Sequence, residues 1–382
     1  MDRNIKLLSW FSFFIEFAFY SPIAILYFAR VTGSFALGMS IFSAVMLSSA
    51  VFEIPTGIFS DRIGRKNTLV FGAIASVLGV IAYALGGTYV MLLIGALFEG
   101  LGRSFYSGNN DALLHDFLSA SKKQHEFHTF LGKLTSIEHI GLAIVAAMGS
   151  ILANWSFALV MWLSVVPKLA NVVIAYSIDT PPTLSRTTGN VFAHLKTSLG
   201  FFRKNWKLRY LSITSIIKFA LGESAFQFRA AFVSSLWPLW AVGFSNMLSQ
   251  IGAAVGYFFS GKLIDRFQAK KVLVGEIIIN RVINLVALVF PTILSPALMG
   301  ATSLAYGTGS VATSTLLQKE FTNEQRATMG SLNAFFGSVG FAIVAVSLGF
   351  IADSIGPTKT LILIHLLLFT PLWFYQKIFK ST

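Results

Sequence analysis

The sequence contains no cysteine, which excludes disulfides, thiolate metal sites and thiol nucleophiles. Charge is scarce as well. Only 12% of the 382 residues are Asp, Glu, Lys or Arg, against roughly 25% in a soluble domain. Acidic residues are the scarcer kind, 16 against 29 basic ones. Six histidines are present, without metal-site spacing: His125 and His128 share a loop, but H-E-F-H is not the H-E-x-x-H of a zinc site. No nucleophile constellation stands out. Gly256-Tyr-Phe-Phe-Ser-Gly261-Lys262-Leu263 approaches a phosphate-binding loop, but Leu263 replaces the required Ser or Thr and the run is apolar. No metal, no cofactor and no enzyme activity is expected.

What is abundant is apolar surface. Hydrophobic residues make up 55% of the chain and the mean hydropathy is +0.71. A helix needs about 20 apolar residues to cross a bilayer. Apolar runs of that length fall at about 7–29, 35–58, 67–86, 88–111, 128–152 and 156–177, then at about 208–231, 236–260, 270–290, 297–317, 329–352 and 358–376. The first run is too long for a signal peptide and lacks a small-residue cleavage site. The pattern predicts an all-α membrane protein of about twelve transmembrane helices in two six-helix halves. Residues 1–178 and 208–382 form the halves, and 179–207 form a linker on the cytoplasmic side. The middle of that linker has the composition of a helix lying on the membrane surface.

The net charge of +13 follows membrane topology and gives no reason to expect nucleic acid. Lys and Arg gather in alternate loops, among them Arg62, Arg65 and Lys66, Lys122 and Lys123, and Lys270 and Lys271. The opposite loops offer little beyond Arg30 and Lys359. By the positive-inside rule both termini are cytoplasmic. Compact loops and the missing cysteines suit a prokaryotic inner membrane.

Two loops repeat. Gly57-Ile-Phe-Ser-Asp61-Arg62-Ile-Gly64-Arg65-Lys66 follows the second run, and Gly261-Lys-Leu-Ile-Asp265-Arg266-Phe-Gln-Ala-Lys270-Lys271 follows the eighth. They lie 261 − 57 = 204 residues apart, and a fixed offset signals duplication. Halves related by an axis along the membrane normal are one known transporter plan. The first copy resembles, at every defined position, the G-x-x-x-D-R-x-G-R-[KR] loop of the major facilitator superfamily. The degraded second copy and Asn323-Glu324-Gln325-Arg326-Ala327-Thr328 resemble that family's other loops. The resemblance covers the whole chain. It implies a secondary transporter working by alternating access, usually monomeric. It also implies that Gly57, Asp61, Arg62, Gly64, Arg65, Lys66, Asp265 and Arg266 act in conformational gating. Asp111 and Asp116 are candidate partners for the basic residues of the first loop.

An ionisable side chain at mid-membrane costs about 2.5–3.5 kcal/mol on insertion scales, so one kept there is a functional candidate. Glu16, Glu53, Glu99, Asp111 and Glu138 are the proton-coupling candidates. Glu99, Arg103, Ser107 and Asp111 follow at steps of four, so Glu99 and Arg103 can pair within one helix. Arg103, Lys218, Glu223, Gln227 and Arg281 are the substrate-binding candidates.

Drug–proton antiporters of the superfamily usually carry R-x-x-x-G in span 4 and Gly-Pro late in span 5. Here Ala96 stands at the Arg position before Gly100, and neither Gly141 nor Gly149 is followed by Pro. The expectation is proton-coupled transport of a small solute, with export favoured over a nutrient or organic-anion importer. A non-transporting receptor on the same fold is the remaining alternative.

Overall fold

The computed structural model describes residues 3–107, 109–123, 126–179, 205–320 and 326–380. Every regular element among them is helical. In the first half these are α1 (Arg3–Ile15), a 3-10 turn at Ser21–Ile23, α2 (Ala24–Thr32), α3 (Phe35–Ile63), α4 (Arg65–Leu85), α5 (Tyr89–Tyr106), α6 (Asn109–Ala120), α7 (Phe127–Ala153) and α8 (Phe157–Ser177). In the second half they are α9 (Trp206–Val233), α10 (Leu239–Val289), α11 (Ser295–Ala301), α12 (Ser303–Glu320), α13 (Arg326–Ile355), α14 (Pro357–Leu367) and α15 (Thr370–Lys380). The chain divides into two compact units. One is built from Met1–Gly33, Leu37–Thr187 and Leu239–Gly243, the other from Ser34–Ala36, Thr188–Pro238 and Phe244–Thr382. The surface helix expected in the linker and the Asn323–Gln325 stretch lie outside the described residues.

Polar residues at the run boundaries start several helices. Thr88 accepts from the Met91 amide ahead of α5, Ser156 from Leu159 ahead of α8, and Asn205 from Leu208 ahead of α9. Such side chains replace backbone partners that the first turn of a helix lacks.

Seven described helices are long and apolar enough to cross a membrane, and one of them, α10, holds two spans joined at a turn. The other crossings are broken or carry several charges. They are α1 with α2, α5 with Glu99 and Arg103, α9 with Lys218, Glu223 and Arg229, and α11 with α12. Together these give the twelve spans of the expected fold.

The spans read at 297–317 and 358–376 are each broken in two, and two further differences bear on the charged residues. The first apolar run is not one helix: α1 stops at Ile15 and helix resumes only at Ser21, leaving Glu16–Tyr20 as irregular backbone in mid-span. Such backbone is tolerated at membrane depth only where protein buries it or a wet cavity meets it. Span 4 likewise ends at Tyr106, because Ser107 leaves the helical region at ψ 117. Asp111 therefore sits on α6, off the stripe of Glu99 and Arg103. The period-four spacing was real, but the backbone breaks between its members.

Lipid gives helices no hydrophobic reason to associate, so small residues carry the contacts. On α4 and α5 a Cβ added at Gly79 would lie 3.0 Å from the Gly95 carbonyl oxygen, and one added at Gly95 would lie 2.9 Å from that of Gly79. The first unit also buries Leu8, Phe11, Leu69, Leu113 and Phe117 in one cluster. The second unit buries Leu208, Leu211, Leu273, Ile277 and Tyr375. Large exposed side chains such as Phe258, Ile343 and Val173 are compatible with acyl chains, since lipid replaces water as the solvent here.

The duplication survives in the backbone. Gly64 turns α3 into α4 at φ 86, ψ 154. Gln268, 204 residues later, turns the two spans of α10 at φ 67, ψ 144. That region is essentially reserved for glycine, and another residue there costs on the order of 1–3 kcal/mol. Gln268→Gly is therefore expected to stabilise the detergent-solubilised protein by about 1 kcal/mol, read as a raised thermal midpoint. A lowered midpoint would mean that the Gln268 side chain contributes more than the strain costs.

Candidate functional site

The break in span 1 places Glu16 among charged residues of other helices. Arg103 on α5 lies 3.1 Å from Glu99 Oε1, one turn earlier on the same helix, and 3.5 Å from Glu16 Oε2. The other Glu99 oxygen accepts from the hydroxyls of Tyr20 and Tyr83, at 3.1 and 3.0 Å. One guanidinium thus serves two carboxylates, and Glu99 is fixed from three directions. Lys168 of α8 donates to the backbone carbonyl of Ile15, at the C-terminal end of α1. That carbonyl lost its helical partner at the break, and a helix C-terminus carries partial negative charge that favours a cation. Glu138 on α7 is within electrostatic reach of Glu16, Arg103 and Asp111.

These residues belong to one unit and keep contact with solvent. The side chains of Arg103, Glu16 and Glu99 retain 39, 33 and 20% of their exposure. Glu53 on α3 is half-buried within reach of Ser107 and joins no described ion pair. Of the proton-coupling candidates, Glu16, Glu99 and Glu138 gather around Arg103, Asp111 adjoins them from α6, and Glu53 stands apart.

At the α3–α4 turn, Arg65 pairs with Asp116 of α6 at 3.0 Å. Asn109, also on α6, donates to the Arg65 carbonyl and accepts from Ser60. Lys66 lies over the ring of Tyr176 at 5.4 Å. Of the two candidate partners for this loop, Asp116 is the one in contact. In the second copy Ala269 occupies the place of Arg65, and Glu320 that of Asp116, each 204 residues on. Glu320 accepts from Asn205 at 3.0 Å. Asp265 and Arg266 are exposed there.

The second unit holds a different buried group. Lys218 of α9 lies 2.9 Å from Glu276 of α10, whose other oxygen is 3.8 Å from Arg281. Arg281 also meets His365 Nδ1 at 3.1 Å. The side chains of Glu276 and Arg281 are 1 and 9% exposed, and that of Lys218 15%. Glu223 accepts from Gln227 at 2.8 Å, and Arg229 donates to Ser249. In the second unit Glu223, Glu276 and Arg281 all lie within electrostatic reach of Tyr306. Arg103 belongs to the acidic group of the first unit, Lys218 and Arg281 are held by a shared carboxylate, and Glu223 and Gln227 pair with each other.

Four residues were missed from sequence: Lys168, Arg229, Glu276 and His365. All lie inside helical spans, so the rule that singled out Glu99 applied equally to them. What sequence could not supply was their partners, since Lys218 and Glu276 are far apart along the chain.

Comparisons with known proteins point the same way as the architecture. The sequence matches the family model described as the Major Facilitator Superfamily over residues 7–345. It is 22% identical over 365 residues to an uncharacterised MFS-type transporter of Methanocaldococcus jannaschii, covering 93% of each chain. It is 30% identical over 141 residues to the inner membrane transport protein YajR of Escherichia coli, covering 34% of this chain and 30% of that protein. Among solved structures, the nucleoside transporter NupG shares the fold at a TM-score of 0.84 with 13% identity, covering 99% of both chains. With twelve spans, the duplicated loop and this match over most of its length, the chain belongs to the major facilitator superfamily of membrane transporters.

Proposed function

We propose that this transporter is proton-coupled and that the Glu16–Arg103–Glu99 group of the first unit carries the proton. The supporting observation is one of charge. Glu16, Glu99 and Glu138 face two cations, Arg103 and Lys168, so one carboxylate has no cation of its own. Asp111 at the edge adds to the excess. An uncompensated charge in a span is costly, and a single proton removes it. Glu99 is held by three donors, whereas Glu16 has one long contact to Arg103 and retains a third of its side-chain exposure, which favours Glu16 as the entry point.

Exchange, with the solute leaving as the proton enters, fits this arrangement best. A solute carrying positive charge or several donors competes with the proton for the same carboxylates, so binding of one releases the other. The basic pair suited to an organic anion, Lys218 and Arg281, is committed to Glu276 and largely shielded. That weakens the importer reading. Inside-out vesicles with an imposed acidic interior test the direction. Solute should accumulate inside while the pH gradient lasts and should not in Glu99→Gln; accumulation unaffected by collapsing the gradient would rule out proton coupling.

A further inference from the structure

The first unit holds a second cation that the charge count requires but that touches neither Glu16 nor Glu99 directly. We propose that Lys168 is a positioning residue that sets the proton affinity of the Glu16–Arg103–Glu99 group; this rests on the proton-coupled reading above.

Lys168 is buried, 8% exposed, in the middle of the apolar helix α8. A lone ammonium is expensive there. Among the described residues its hydrogen-bond partner is the carbonyl of Ile15, the last residue of α1 before the break that delivers Glu16. A carbonyl alone does not neutralise a charge. Carboxylates do, and Glu16 and Glu99 both act electrostatically on Lys168. The ammonium is thus held by backbone at one fixed point while its field falls on the acids beside it. A mobile lysine would instead collapse onto Glu16 as a direct pair, and Glu16 would lose its solvent contact. Anchoring Lys168 to Ile15 leaves Glu16 open.

The other charged and titratable groups within reach of this place are Glu16 and Tyr20 at the break, Tyr83 on α4, Glu99, Arg103 and Tyr106 on α5, Asp111 on α6, and Glu138 on α7. Removing the Lys168 charge takes the count from three carboxylates against two cations to three against one. The neutral, protonated acid is then favoured. An opposite charge within a few ångströms is worth about one to three pH units to a carboxylate. In Lys168→Met the acids should hold their proton to a pH about one unit higher. Lys168→Arg keeps the charge and should keep the pH.

Infrared difference spectroscopy of the full-length protein in lipid measures this without knowledge of the solute, through the protonated-carboxyl band between about pH 5 and pH 9. In the wild type the band should disappear with a single midpoint, and Glu16→Gln should remove most of its amplitude. Lys168→Met should move the midpoint up by about one pH unit, while Lys168→Arg restores it. An equal midpoint in wild type and Lys168→Met overturns the proposal alone. A wild type in which no carboxyl band titrates over that range overturns the proton-coupled reading itself. If Lys168→Met does not fold, Lys168→Gln together with Lys168→Arg carries the comparison: both fill the site, and only one keeps the charge.

Discussion

Glu276→Gln is expected to destabilise the protein by about 3–5 kcal/mol, the usual result of removing one partner from a buried ion pair. Glu276 is the one described carboxylate that neutralises both Lys218 and Arg281, and its side chain is 1% exposed. Without it Lys218 and Arg281 lose the carboxylate they share, with little water to replace it. The amide of Gln keeps the volume and one acceptor, so the loss reports charge and not shape. Adding Lys218→Met to Glu276→Gln should return part of the loss, because the double variant removes one stranded cation. Thermal unfolding in detergent, run as a double-mutant cycle, measures both. A Glu276→Gln protein that melts within a few tenths of a kcal/mol of wild type would mean that the three residues are not held together.

Gly95→Leu is expected to abolish folded protein or to lower its stability by about 3 kcal/mol, at the top of the usual range for overpacking. The reason is geometric. Even a Cβ at this position would lie 2.5 Å from the Tyr83 ring and 2.9 Å from the Gly79 carbonyl oxygen. Tyr83 is fully buried and its hydroxyl holds Glu99, so it cannot yield without releasing the acid. Forcing α4 and α5 apart would thus damage the fold and the charged group together. Size-exclusion chromatography of the expressed variant reads the first effect. A monodisperse Gly95→Leu protein with wild-type melting would show that the two helices do not meet at this point.

Much of this was legible in the sequence because membrane physics writes it plainly. Apolar runs gave the spans, and the loops beginning at Gly57 and Gly261 exposed the duplication. The pairing of Glu99 with Arg103 followed from helical spacing alone, and it is present at 3.1 Å. What failed was anything that depended on backbone leaving the helix. Nothing in Phe14-Ile15-Glu16-Phe17 marks a break: no proline or glycine stands there. Lys168, five spans and 153 residues away, meets the freed carbonyl. The same holds at Ser107, where an unbroken period-four pattern suggested one stripe and the chain turned instead. Long-range partners were equally hidden, as with Glu276, whose two cations come from a different helix and from the next turn of its own. Gln268 shows the reverse case, a turn kept by inheritance although its residue suits it poorly.

Proton movement in proteoliposomes tests the central claim most directly. The purified protein is reconstituted around a trapped pH-sensitive dye. Solutes that raise its melting temperature are then added outside, with the membrane potential clamped. For an exchanger, inward solute movement should drive protons out and turn the lumen alkaline in the wild type. Glu16→Gln and Glu99→Gln proteins that still bind the solute should give no pH change. Solute entry at the wild-type rate with no proton movement, or an unchanged proton signal in both variants, would contradict proton coupling through this group.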